Sequence, residues 1–149
     1  MSATPPWMDE QGGFDAAKFV DIARQLGHTR ALGLEHRGSG DDWAELALPW
    51  REELVGVPET GILASGAIVS LIDTTSGLSV WVKMNRFSPV VTLDLRLDYL
   101  RPAAKGETIV ARCTCEKLTR RIGFVRGVAH CGDPERPIAL SSATFMLHR

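Results

Sequence analysis

The chain has only three cysteines, and no apolar leader segment opens it. An odd, sparse set does not make a disulfide framework, so a reduced, cytoplasmic protein is the expectation. The four histidines (His28, His36, His130, His148) stand far apart, with no second in zinc-ligand spacing. Cys113 and Cys115 alternate onto the strand face of Ile109 and Ala111, and read as small core residues rather than metal ligands. No phosphate-cradling Walker loop, dinucleotide fingerprint or Gly-x-Ser-x-Gly elbow occurs. The formal net charge is −1, so no overall field draws the chain to nucleic acid or to a membrane surface. These absences lead us to expect no metal, no cofactor, no nucleic-acid partner and no membrane.

What is present is an ordinary globular composition. The 149 residues are 44% hydrophobic and 23% charged. A chain of this size forms one domain and buries roughly 70% of its unfolded surface. Met1 to Gly13, with two prolines and two glycines, reads as a loose N-terminal arm, and residues 14–149 as the domain. Phe14, Phe19, Ile22, Ala23 and Leu26 recur at helical spacing and predict an amphipathic helix ended by Gly27. Arg30 to Glu35 and Asp42 to Leu48 read as a strand pair around a turn at His36 to Asp41, followed by a loop over Arg51 to Thr60.

The segment Gly61 to Val82 organises the rest. Between Glu59 and Lys83 its one charged residue is Asp73. The run is long enough to span a bilayer, but a central carboxylate and many hydroxyl groups argue for a helix buried in a soluble domain. Its apolar residues lie nearly all round, which predicts a wrapped helix starting near Ala64–Ser65, with Ser65 as a possible N-cap and Gly77 as a point of kinking or close packing. Beyond Pro89 the period changes to two. Val91, Leu93, Leu95, Leu97 and Tyr99 predict one buried face of a strand, and Thr92, Asp94, Arg96 and Asp98 its solvent face. Three further strands are predicted over Glu107 to Leu118, Arg121 to Cys131 and Ile138 to Leu147. The class is α+β: an antiparallel sheet curled around the central helix.

A lone carboxylate in a buried segment is costly unless it is solvated, hydrogen-bonded or used. Asp73 is therefore the candidate nucleophile or general base, although Asp-Thr-Thr-Ser-Gly also reads as a cap or turn. The start of the helix offers free amides and the positive end of its dipole, and Ser65 and Gly66 keep the approach open for an oxyanion. Ser65 and Asp73 are eight residues apart, about 12 Å along one helix axis. One copy cannot grip a carbonyl with both, so the expected site is composite, with the amides from a twofold mate. From Leu100 to Val128 seven basic residues face only Glu107 and Glu116, a segment of about +5 by counting. Such a patch suits a small polyanion.

The runs SGAIVSLIDTTSGLSVW and VTLDLRLDYLRPAAKGE resemble the hotdog-fold acyl-CoA thioesterases of the phenylacetate-degradation (PaaI) type, over roughly Gly56 to Leu147. The most specific pattern is Gly-x4-Leu-x-Asp, met by Gly66, Leu71 and Asp73. The resemblance implies a long helix wrapped by an antiparallel sheet, a homodimer or tetramer, and hydrolysis of an acyl-CoA in which coenzyme A is part of the substrate. It assigns catalysis to Asp73, with the amides of Ser65 and Gly66 as oxyanion hole. For substrate contact it leaves Thr92 beside the acyl group and Arg101, Arg120 and Arg121 for the phosphates, because guanidinium forks pair phosphate. The chain departs from the family in having Ala64-Ser65-Gly66 for His-Gly-Gly and Pro58 for an Asn or Gln. Those departures support an alternative, a non-catalytic acyl-CoA or ligand-binding hotdog protein. A hydratase would want an Asp–His pair, and no histidine is near Asp73 in sequence.

Overall fold

A computed structural model describes residues 5–148. Met1 to Thr4 of the expected arm lie outside the described residues. The chain runs α1 (Ala16–Ala23), α2 (Gly27–Leu32), β1 (Glu35–Ser39), β2 (Trp43–Leu48), a 3-10 turn (Glu52–Leu54), β3 (Val55–Val57), β4 (Ile62–Leu63), α3 (Ser65–Met84), β5 (Val90–Tyr99), β6 (Ile109–Leu118), β7 (Ile122–His130) and β8 (Ala139–Leu147). Six strands form one antiparallel sheet in the order β1-β2-β6-β7-β8-β5, while β3 and β4 pair separately. The long helix α3 lies against this sheet. Leu71, Ile72, Leu78 and Val80 are buried against inward residues such as Leu46, Ala111, Val125 and Phe145. This is the helix-and-sheet arrangement expected from the sequence.

The hydroxyl groups buried on this helix find partners, two within the helix and one on the sheet. Thr75 Oγ1 donates to the Leu71 carbonyl at 2.6 Å, Ser79 Oγ to the Ser76 carbonyl at 2.7 Å and Ser76 Oγ to Cys113 Sγ at 3.4 Å. Bonding back to the helix's own carbonyls lets Ser and Thr be buried without an orphaned donor. Cys113 and Cys115 are core residues, and burial pushes their thiols up to about 12 and about 11.

Several expectations are corrected. The strand read over Arg30 to Glu35 begins only at Glu35. Arg30 belongs to α2, which Gly33 ends in the left-handed conformation at φ 69 while its amide bonds the Thr29 and Arg30 carbonyls. The N-cap of α3 is Ala64, and no side chain caps the helix; Ser65 is its first residue. At Gly77, α3 continues unbroken, and a Cβ there would meet Phe145 at an ordinary 3.6 Å rather than in close packing. The helix is not wrapped all round, because Ser65, Gly66 and Val69 are exposed and Asp73 is half-buried.

A further correction is in β5. Its register against β8 shifts between Thr92 and Asp94. This bulge inverts the phase: Thr92, Leu95 and Leu97 point to the core side, and Val91 and Leu93 are left 53% and 51% exposed. Before α1, Trp7 and residues 8–14 are not a loose arm. Met8 bridges to Phe14, Asp9 Oδ1 accepts from the Gln11 and Gly13 amides, and Asn85 Oδ1 at the end of α3 accepts the Phe14 amide at 3.0 Å.

Candidate active site

The stripe Asp73, Thr74, Gly77, Leu78 and Trp81 of α3 forms one wall of a cleft of about 270 Å³. Phe19, Val20 and Ala23 of α1 and Thr29 of α2 form the facing wall, and Leu46, Val90, Thr92 and Phe145 of the sheet complete it. Among the described residues, Asp73 is the only charged one lining it. Thr92 Oγ1 donates to Asp73 Oδ1 at 2.9 Å. The β5 bulge makes this contact, since without the phase change Thr92 and the Leu95–Leu97 pair would face opposite ways. One carboxylate oxygen is thus anchored, and Oδ2 has no hydrogen-bond donor among the described residues. Asp73 does not point into a closed interior: it stands on an open cleft whose remaining walls are mostly apolar, with the hydroxyl groups of Thr29, Thr74 and Thr92 among them.

At the other end of the helix's open stripe the Ser65 and Gly66 amides carry no side-chain cap, and a Cβ on Gly66 would meet nothing within 4 Å. Ser65 lines a second cleft, of about 310 Å³, together with Tyr99 and Arg101, and Tyr99 Oη donates to the Ser65 carbonyl at 3.3 Å. Because α3 is unbroken from Ser65 to Met84, the separation of Ser65 from Asp73 holds at about 12 Å along the axis. A single copy keeps the carboxylate and the amides in two clefts. Ser65, Val69 and Asp73 are nonetheless four residues apart, on one uncovered face of α3.

The arginines are not brought together. Arg101 stands beside Ser65 and spends Nη2 on the Arg136 carbonyl at 2.8 Å. Arg120 and Arg121 are exposed in the turn between β6 and β7, near the other end of α3, where Lys83 Nζ reaches the Cys115 and Glu116 carbonyls. Sequence reasoning also missed His28, whose Nε2 is 2.9 Å from Ser70 Oγ, one helical turn before Asp73. It missed the whole α1–α2 wall as well. The amphipathic stripe with Phe14 and Phe19 announces that a helix face is buried, but not against what. Among the described residues no cluster of His, Cys, Asp or Glu is disposed to hold a metal ion, and no helix is long and apolar enough to cross a membrane.

The sequence model of the thioesterase superfamily matches residues 60–138. The Escherichia coli K12 protein named medium/long-chain acyl-CoA thioesterase YigI is 30% identical over 131 residues, covering 79% of this chain and 83% of its own. Among solved structures, a Pseudomonas aeruginosa protein is 35% identical, covers 88% of this chain and 95% of its own, and superposes with a TM-score of 0.77. A mutant of the phenylacetic acid degradation protein PaaI from Thermus thermophilus is 26% identical, covers 78% of this chain and 95% of its own, and superposes with a TM-score of 0.68.

Proposed function

Because this chain belongs to the thioesterase superfamily and has its hotdog fold, we propose that it hydrolyses the thioester of an acyl-coenzyme A through Asp73. The observation that carries this reading is the position of Asp73: the single charged group on an apolar cleft, with one oxygen held by Thr92. Oδ2 attacks the thioester carbonyl or takes a proton from the water that does. Negative charge then develops on the carbonyl oxygen and is held by the Ser65 and Gly66 amides. Collapse breaks the carbon–sulfur bond, the acyl group ends with a new carbon–oxygen bond from water, and coenzyme A leaves as thiolate and takes up the proton. Thr92 positions the carboxylate. Arg101, Arg120 and Arg121 are offered to the phosphates of the nucleotide end.

The amides that meet Asp73 come from a second copy. The strand β5 is a ten-residue sheet edge carrying exposed Val91, Leu93 and Tyr99, a template for pairing with itself about a twofold axis. The uncovered face of α3 that holds Ser65, Val69 and Asp73 is the other part of the interface. The protein therefore works as a homodimer, or as a tetramer built from such dimers.

Complementation tests both parts. Asp73→Asn removes the acting carboxylate. Ser65→Pro removes one amide at a first helical position where proline is compatible, behind an extended Ala64 at ψ 133. Each variant alone loses at least a hundredfold in thiol release from acyl-CoA, the scale of a lost oxyanion donor or catalytic base. Co-refolded together they regain activity, because half of the sites in a mixed dimer carry both native groups. Activity near normal in Asp73→Asn refutes the role of Asp73, and two inactive variants that never complement refute the composite site.

A further inference from the structure

One wall of the cleft beside Asp73 comes from chain outside residues 60–138, the stretch matched to the family. Phe19 of α1 meets Trp81 of α3 with ring centroids 4.9 Å apart, and Trp7 and Phe87 back Phe19 at 6.3 and 5.5 Å. The Phe14 amide bond to Asn85 fixes α1 to the end of α3. On α3 the cleft runs along Asp73, Gly77 and Trp81, residues four apart, so its carboxylate end and its aromatic end are about 12 Å apart.

The geometry points to Phe19 and Trp81 as the stop that sets the longest acyl chain this site takes, with Gly77 keeping the path between them open. This rests on the reading of Asp73 as the group that meets the thioester carbonyl. Two magnitudes agree on a saturated acyl group of roughly eight to ten carbons. An extended chain advances about 1.2 Å per bond, so 12 Å holds about ten bonds. A cleft of about 270 Å³ holds roughly nine groups of the size of a water molecule, each taking about 30 Å³. The walls offer no second charge and few polar groups, so a long dicarboxylic or heavily hydroxylated acyl group is excluded by desolvation. At Gly77 a side chain can shorten the path with little disturbance of the core: an added Cβ meets only Phe145, at 3.6 Å.

The test uses S-alkyl-coenzyme A thioethers with chains of four to sixteen carbons, measured by calorimetry, beside hydrolysis of the matching acyl-CoA series. For wild type the affinity rises by about fourfold per methylene and stops rising near ten carbons. Gly77→Val moves that limit down to about five carbons, and Gly77→Ala, which fits without displacement, moves it down by one or two. Phe19→Ala moves it up by two or more. Opposite shifts from opposite changes are not what a loss of folding produces. The same limit in wild type, Gly77→Ala and Phe19→Ala overturns the inference. Shifted thioether limits with no hydrolysis of any acyl-CoA uphold the wall and overturn the catalytic reading. Hydrolysis that depends on Asp73 but has an unmoved limit overturns the wall alone.

Discussion

Replacing Thr92 by valine keeps the shape and the strand preference of the residue and deletes one hydroxyl. In the protein that hydroxyl donates to Asp73 Oδ1 at 2.9 Å and is the only side chain that orients the carboxylate among the described residues. A hydrogen bond to a charged group contributes about 1.5–3 kcal/mol. Here the bond is open to solvent, so the lower end applies, and about 1.4 kcal/mol corresponds to tenfold in rate. Thr92→Val is therefore expected to lower kcat roughly tenfold and to leave KM within about twofold, because acyl contact is kept. Thr92→Ser restores the donor and returns kcat to within about threefold of wild type. The assay is thiol release under saturating acyl-CoA, with thermal melting to confirm that the three proteins are equally folded. A valine variant with native kcat would refute the idea that this bond holds Asp73 in its working orientation. A serine variant as slow as the valine one would move the effect from the hydroxyl to packing of the methyl group.

His36 on β1 provides a pH test. Its Nε2 is buried without a partner, and burial lowers its pKa below 6.5 against the opposing pull of Asp15 and Asp21. The unfolded chain then binds a proton at higher pH than the folded one, so the His36 contribution to stability is full above pH 6.5 and is lost as pH falls through 6.5 toward the lowered value, by at most about 1.4 kcal/mol per pH unit. Denaturant midpoints should decline over that window and decline less in His36→Gln; identical slopes in the two proteins would count against it. The three thiols give a further expectation. With Cys113 up at about 12 and Cys115 and Cys131 at about 11, all three are protonated near pH 8, so a disulfide reagent should label the native protein slowly and the denatured protein at three sites. Rapid labelling of native Cys113 would contradict its burial.

Much of the architecture was legible because it depends on local periodicity. One charge in the whole of Gly61 to Val82 identifies a helix that must be buried, and alternation over β6, β7 and β8 identifies a sheet to bury it. Asp73 was legible for the same reason: a carboxylate among apolar residues has to be used or neutralised. The eight-residue interval from Ser65 was enough to place the helix-start amides and Asp73 about 12 Å apart along one axis, since helical rise is fixed. Alternation misled at β5, where it predicted a single buried row. A bulge is set by how a strand matches its neighbour and closes the sheet, and Thr92 reached Asp73 only through it. The short helix α2 was not legible, because Arg30 to Glu35 carries a β-like pattern; in the structure Gly33 closes that helix in the left-handed conformation and the strand starts only at Glu35.

By itself, then, the order of residues determined that a long helix packs on an antiparallel sheet and that one carboxylate on that helix stands apart. These follow from the spacing of apolar groups along the chain and from the desolvation penalty of a charge, both of which act over a few residues. Only the tertiary structure decided what surrounds that carboxylate. It turned Thr92 inward, laid α1 and Phe19 across the cleft, left the face of Ser65, Val69 and Asp73 uncovered, and set Arg101 at one end of α3 and Arg120 with Arg121 toward the other. Those placements join residues tens of positions apart, and such contacts are selected by how whole elements fit together rather than by the pattern within any one of them.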